Sequence, residues 1–459
     1  MKRLAASVLG GFLIAAMLPI TASARHAAAS GAPFTTASRP FLVSTDPGTT
    51  ITPILTSGEV VGDPANRFQF SGVPDGIGAY ASAAGRLEVF VNHETAHAWG
   101  DPADARVSHL TLDPTGKVLG ASYLVDGTQG YEYFCSSTLD YVGSTPWYFT
   151  GEEWIGTPKG GTSVAVNTLT GRVVETPQFG HLNHENVVPI QGLSRSMVYL
   201  SEDSFRLDSQ AYAYYSDSLW NSIHGKGSLT VWVPDDQGDG HPSTNDIAKG
   251  ETMPGRFVTI PHAGSYSGLE LNRVADRLGA FDFVRVEDAA HDPANPGVIY
   301  FTDTGANKAE TKNGRLYRLT VDPAHPRRAT LEVVLDGDAG DDLVNPDNLG
   351  IDATSLVIQE DRNDTSSGYA RVHVYDLGTG TLRAVARLDP SQHAIDAGGG
   401  PGVWESSGVV DVSDFFGPGY WLLDVQAHHT SVLQQGPSLA LNSAKGQRGQ
   451  LLLVHIDGT

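Results

Sequence analysis

Glu185-Asn186-Val187-Val188-Pro189-Ile190, a polar interval, then Ser196-Met197-Val198-Tyr199-Leu200-Ser201-Glu202-Asp203 is the length of one hairpin. An acid opens it, a short apolar strand follows, a turn intervenes, and a second apolar strand ends in acids. Such runs, bounded by Gly, Pro, Asn and Asp, read as strands. The plan recurs from Asp75-Gly76-Ile77 to Asn92-His93-Glu94, from Cys135-Ser136-Ser137 to Glu152-Glu153, and from Glu287-Asp288-Ala289 to Thr302-Asp303. It returns again from Asp347-Asn348-Leu349 to Glu360-Asp361 and from Glu405-Ser406-Ser407 to Asp424-Val425-Gln426. The six first positions are separated by 60, 50, 102, 60 and 58 residues. A repeat of that length with several strands per unit is what a propeller blade requires. The expected fold is all-β: a six-bladed β-propeller over residues 41–459, a single domain with an insertion between about residues 205 and 283. Only Asp208 to Ile223, rich in Tyr and Ser, is expected to be helical or irregular.

Composition agrees with a turn-rich globular chain: 459 residues, 40% hydrophobic, 18% charged, with 52 Gly and 26 Pro. Lys and Arg number 30 against 52 Asp and Glu, and the formal charge of -22 repels nucleic acid and anionic membranes. At the N-terminus, Lys2-Arg3, an apolar stretch from Leu4 to Ile20 and Ala22-Ser23-Ala24 make residues 1–24 a signal peptide; residues 25–40 read as a flexible linker. The expected product is a secreted or periplasmic monomer with no membrane attachment after cleavage. A single cysteine, Cys135, excludes an internal disulfide.

In a propeller the innermost strands line one channel, so equivalent positions form rings. Asp75, Cys135, Glu185, Glu287, Asp347 and Glu405 make one such ring; Glu94, Glu153, Asp203, Asp303, Asp361 and Gln426 make a neighbouring one. So many carboxylates at close range demand protonation, basic partners or metal. Oxygen donors suit calcium, whereas a thiolate at Cys135 points to a softer transition metal. Asp235 to Gly240 and Asp336 to Asp342 lack a full calcium-loop spacing and read as solvated turns, and His181, His184, His428 and His429 show no zinc pattern. No nucleophile elbow, P-loop or dinucleotide fingerprint is present.

Several short segments resemble the secreted alkaline phosphatases of the PhoX type and their bacterial relatives. They are Val91-Asn92-His93-Glu94, Cys135 with Ser144-Thr145-Pro146-Trp147 and Gly151-Glu152-Glu153, and Leu182-Asn183-His184-Glu185 with Tyr199-Leu200-Ser201-Glu202-Asp203. Arg285-Val286-Glu287-Asp288, Asn345-Pro346-Asp347-Asn348-Leu349, Glu360-Asp361 and Glu405-Ser406-Ser407-Gly408 continue the series in order. The resemblance implies a six-bladed propeller holding calcium and a pair of irons and hydrolysing phosphate monoesters, so the expected partner is a small phosphorylated substrate. It implies Glu94, Cys135, Glu153, Glu185, Asp203 and Glu287 as metal ligands, with Arg285 facing the phosphate. Asp347, Glu360, Asp361 and Glu405 complete the candidate ligand set. The chain departs from the family in its Lys2-Arg3 start and in a shorter interval between Trp147 and Glu152. A calcium-dependent esterase, lactonase or phosphotriesterase-like propeller, and a non-catalytic calcium-stabilised propeller, are the alternatives.

Overall fold

The computed structural model describes residues 29–63, 67–96, 104–204, 208–238, 240–306, 311–362, 368–392, 402–428 and 448–459. Residues 1–24, read as a signal peptide, lie outside them. No helix among the described residues is long and apolar enough to cross a membrane.

The chain is all-β with its sheets in a propeller-like arrangement. Six strands stand side by side in a closed cycle: Pro74–Ala81, Phe134–Val142, His184–Ile190, Val286–His291, Pro346–Ile351 and Glu405–Asp411, the last packing back on the first. Each starts at one of the repeated motifs, and each sheet grows outward from its ring strand by antiparallel hairpins. The second sheet shows the pattern plainly: Phe134–Val142, Thr145–Glu152, Ser163–Asn167 and Arg172–Glu175 follow in sequence order. Apolar cores fill the gaps between neighbouring sheets. Trp147 and Phe149 of the second sheet meet Val187, Val198 and Leu200 of the third, and Phe90 and Val107 of the first meet Phe134, Tyr148 and Val164 of the second.

Closure is made by the two ends of the chain. Arg448–Ile456 pairs on one side with Tyr420–Ala427 and on the other with Thr49–Thr56, from Gln450 opposite Thr56 to Ile456 opposite Thr49. An open sheet edge is thereby removed from each terminus. Within the stretch read as a linker, Ala29–Phe34 lies along Val118–Val125 and extends the first sheet, because the unpaired main chain of an edge strand is a ready partner for any extended segment.

The long third interval also departs from expectation. Tyr212–Ser216 and Gly227–Pro234 are the regular third and fourth strands of their sheet, and only Leu219–Ile223 between them is helical. The added material follows Pro234. Thr252–Thr259 pairs with both Gly227–Pro234 and Arg328–Asp336, welding two sheets into one of nine strands. The longest described helix, Gly268–Arg277, escaped the sequence reading although Ser267 and Glu270 mark its start. The Glu270 carboxylate accepts from the Ser267 N–H at 2.9 Å and the Ser267 hydroxyl at 2.8 Å, a capping arrangement legible as Ser-x-x-Glu.

Each ring strand carries a bulge at the motif itself. Pro74 pairs with His93 but Ile77 with Val91, so Asp75 and Gly76 together oppose Asn92. The same two-against-one count falls at Cys135-Ser136, Glu185-Asn186, Glu287-Asp288 and Asp347-Asn348. In the sixth sheet the register shifts at Gly408 instead, where φ is +50° and an added Cβ would lie 2.5 Å from the Asp75 carbonyl oxygen. A bulge breaks the strict in-out alternation and re-aims side chains. Both residues of a bulge can therefore reach across the axis.

Closure by the N-terminal strand makes a direct prediction. Leu55, fully buried among Ile54, Leu451 and Leu453, should cost about 2–5 kcal/mol when replaced by Ala, read from urea unfolding. A loss below about 1 kcal/mol would show that the fold does not depend on this seam.

Candidate metal centre

A second recurring bond sets the acids in pairs. Beyond five of the six hairpins the amide of the residue just after the second strand donates to the carbonyl two residues before the first bulge residue. Glu94 N–H bonds Val73 O at 2.9 Å, Glu153 bonds Tyr133 at 2.9 Å, Asp203 bonds Asn183 at 3.1 Å, Thr304 bonds Arg285 at 3.0 Å and Asp361 bonds Asn345 at 3.0 Å. The chain is forced through an unfavourable conformation at three of these carbonyls: Val73, Tyr133 and Asn345 have φ of 48°, 55° and 50°. Non-glycine residues held there cost of order 1–3 kcal/mol each, and such strain concentrates at functional sites.

The result is a continuous acidic cluster across the ring. Possible ligand atoms lie within 4.8 Å of one another in five overlapping triads: Asp75, Glu94 and Cys135; Cys135, Glu153 and Glu185; Glu153, Asp203 and Glu287; Glu185, Glu287 and Asp347; Asp347, Asp361 and Glu405. The structure thus brings together Glu94, Cys135, Glu153, Glu185, Asp203, Glu287, Asp347, Asp361 and Glu405, with Asp75 joining them. Beneath them the second residues of the bulges form a polar floor. Asn348 donates to Ser136 Oγ at 2.8 Å and to Asp75 Oδ1 at 3.2 Å, Ser136 donates to Glu185 Oε1 at 2.5 Å, and Asn186 donates to Asp288 Oδ1 at 2.5 Å. These cross-axis contacts join non-neighbouring repeats, and nothing in the spacing of a single repeat could have indicated them.

Glu360 does not join the cluster. Its fully buried carboxylate accepts from Arg362 Nε at 2.8 Å, Arg371 Nη2 at 2.8 Å, His373 Nε2 at 3.0 Å and Val344 N at 3.0 Å. Burial alone would raise its pKa, but the His373 and Arg371 bonds and the Arg362 charge bring it down to about 2. Neighbouring residues on a strand face opposite ways, so Asp361 reaches the axis while Glu360 anchors the sheet. Asp303 is also diverted: it accepts from the Val284, Arg285 and Gly305 amides at 2.9–3.1 Å, and Thr304 takes the position beside the axis. In the sixth sheet His428 Nε2 approaches Glu405 Oε1 at 3.4 Å, a neighbour the histidine spacing did not reveal. Gln426 instead donates to Asp75 Oδ2 at 2.8 Å and Glu94 Oε2 at 3.3 Å.

Arg285 lies against the acids. Its Nε and Nη2 fork onto Asp203 at 3.0 and 2.7 Å, and Nη2 is 3.0 Å from Glu287 Oε1. Glu287 Oε1 accepts no hydrogen bond despite being buried, so that contact is one of charge rather than of aligned bonding. Glu185 Oε2 is likewise buried and unpartnered.

Without cations the cluster holds on to protons. Burial, offset by bonds from Cys135 and others, raises the Asp75 pKa to about 6; burial and then the Asp75 charge raise that of Glu94 to about 8. Burial and mutual repulsion push Glu153, Glu185, Glu287, Asp347 and Glu405 well above the usual carboxylate range. Cys135 is raised too, by burial and then the Asp75 charge, and its thiol donates to Asp75 Oδ2 at 3.2 Å. Orphaned oxygens, overlapping triads and a donor set of carboxylates with one sulfur are what hard cations, with one softer neighbour, would satisfy. The residues fit a metal group.

No protein-family model and no curated protein matches the chain. Among solved structures, PhoX of Pseudomonas fluorescens in complex with vanadate, a transition state analogue, superposes with a TM-score of 0.62 at 14% identity, covering 93% of this chain and 97% of that one. A Penicillium chrysogenum alpha-L-arabinanase complexed with arabinobiose gives 0.43 at 10% identity, over 89% and 99% of the two chains. The Trypanosoma rangeli sialidase gives 0.41 at 8% identity, over 91% and 60%. The first of these establishes likeness of fold.

The raised carboxyls fix the sign of a pH effect. A group whose pKa is higher folded than unfolded stabilises fully below its unfolded pKa, and that contribution is lost as pH rises through the folded value. In chelator, Tm should therefore fall between about pH 5 and pH 8, the window set by Asp75 and Glu94. Added Ca²⁺ should raise Tm more at pH 8 than at pH 5, since the cation replaces the protons. Equal melting at both pH values, with no response to Ca²⁺, would contradict a cation-filled cluster.

Proposed function

We propose that the chain is a six-bladed propeller whose nine-stranded sheet contains two blades, and that it is an exported, metal-dependent hydrolase of phosphate monoesters working at the axial cluster. Six ring strands in one closed cycle, each opening a hairpin, support the blade count. The likeness of fold to PhoX, bound in that structure to vanadate, supports the choice of substrate. The observation that carries the reading is Arg285, a guanidinium set against Asp203 and Glu287 within overlapping acidic triads.

An acidic cluster repels a phosphate ester unless cations cover it, and calcium with iron at the Cys135 side suits the donors. When bound, such cations supply charge that polarises the phosphoryl oxygens and offsets charge on the departing oxygen. Asp75, Glu94 and Cys135 would hold one position and Glu153, Asp203 and Glu287 another, with Glu185 and Asp347 between them and Asp361 and Glu405. In this reading the Arg285 guanidinium, forked onto Asp203 and against Glu287, would exchange part of that contact for the phosphoryl group; a planar guanidinium matches two phosphate oxygens as it matches a carboxylate. Asp203 and Glu287 orient that fork, while the three amides bonded by Asp303 hold the Arg285 backbone. The floor of Asn348, Ser136 and Asn186 closes the site below and keeps the acids in place. Water attacks phosphorus, the P–O bond to the leaving group breaks, and alcohol and phosphate are released.

The test is turnover of p-nitrophenyl phosphate from neutral to alkaline pH by protein loaded with calcium and iron. Arg285→Lys keeps the positive charge beside Asp203 and Glu287 but loses the fork. It should lower kcat/KM at least about tenfold while metal content by elemental analysis is unchanged. Absence of turnover in the loaded wild-type protein removes the assignment. Activity confined to lactones or phosphotriesters would select the esterase alternative.

A further inference from the structure

Beside the cluster stands an aromatic platform to which the chemistry above gives no role. Trp154 follows Glu153 directly, and half of its surface is exposed, unusual for so large a ring next to a partly buried acid. It is held rather than loose. Its Cε2 and Cζ2 lie where an added Cβ on Gly156 would come within 2.5 Å, so the indole lies over a residue that has no side chain. Tyr133 meets it edge to face, with ring centroids 5.9 Å apart. Tyr133 is itself pinned in the left-handed region, its N–H donating to Thr95 O at 3.2 Å and its carbonyl accepting from Glu153 N–H at 2.9 Å. Two further bonds fix the backbone under the ring: Ile155 N–H donates to Asn183 Oδ1 at 2.8 Å, and Thr157 N–H to Trp154 O at 3.2 Å.

Resting on the phosphatase reading, we propose that Trp154 is a specificity-determining residue that stacks on a planar aromatic leaving group, such as an aryl or nucleobase moiety, of a phosphate ester held at the cluster. The placement limits the ligand. Trp154 packs on Tyr133, whose main-chain carbonyl is bonded by the cluster residue Glu153, and the stacked group is therefore placed at that end of the cluster. A flat, half-exposed indole held on one side offers its face to a flat partner. Stacking of this kind is worth about a tenfold preference.

Calorimetric titration of the metal-loaded protein with phenylphosphonate and methylphosphonate separates binding from turnover, because neither is hydrolysed. The wild-type protein should bind the phenyl compound about tenfold more tightly. Trp154→Ala should bring the ratio to near one, Trp154→Phe should retain part of it, and Gly156→Ala, which displaces the indole without removing it, should reduce it. Equal affinity for the two phosphonates in the wild-type protein overturns the platform, even where phosphomonoesters are turned over. A phenyl preference lost in Trp154→Ala but unaccompanied by turnover supports the platform and removes only the catalytic reading. Binding of neither phosphonate overturns both, and a preference for glucose 6-phosphate over phenyl phosphate in kcat/KM would reassign Trp154 to a sugar.

Discussion

Everything at the centre of this protein depends on a main-chain bond made five times around one axis: the amide just past a hairpin donates to the carbonyl two residues ahead of the acid or thiol that opens the bulge. It draws the two acidic ends of a repeat together at the same height on the channel. Without it the hairpins would fray where their ladders stop, and the acids could separate to relieve their repulsion. With it, separation would require breaking main-chain bonds in several sheets at once. The strain at Val73, Tyr133 and Asn345 has the same origin, since the chain must turn sharply there to present the accepting carbonyl.

The repulsion so imposed finds two different solutions within one molecule. Glu360 is buried as deeply as any acid in the cluster, yet Arg362, Arg371 and His373 surround it and keep it ionised. On the axis such partners are scarce among the described residues: Arg285 serves Asp203 and Glu287, His428 approaches Glu405, and the other acids have amides, hydroxyls, a thiol and one another. Leaving Glu185 Oε2 without a donor forfeits a charged hydrogen bond in a buried place, a cost no stable core would retain without compensation. Protons or cations provide that compensation, and bound cations add to folded stability by mass action.

Closure supports this arrangement from outside. Pairing Thr49–Thr56 with Arg448–Ile456 ties the start of the fold to its end, so the ring cannot open at one sheet without losing a full strand ladder. The added strand Thr252–Thr259 does the same between the third and fourth repeats, where the long third interval would otherwise leave two outer edges unpaired.

The sequence alone carried the strand content, the six-fold repetition and the acid or thiol at the head of each repeat, because apolar alternation and motif spacing are local properties that each segment states for itself. Nine of the ten residues named as candidate ligands, from the repetition and from the family resemblance together, lie beside one another at the axis. Glu360 was misjudged because adjacent strand residues point opposite ways, and a bulge or a one-residue register change decides which of the two faces inward. Asp303 was diverted to main-chain amides for a reason of the same kind, Gln426 reached Asp75 and Glu94 as the ring required, and the approach of His428 to Glu405 was not legible in the spacing of the histidines. The polar floor, the pairing of the two chain ends, the fork of Arg285 on Asp203 and the indole seated over Gly156 were settled only by tertiary structure. Each is a contact between segments distant in sequence, made at the convergence of strands on one axis, and no local pattern encodes the distance across a ring.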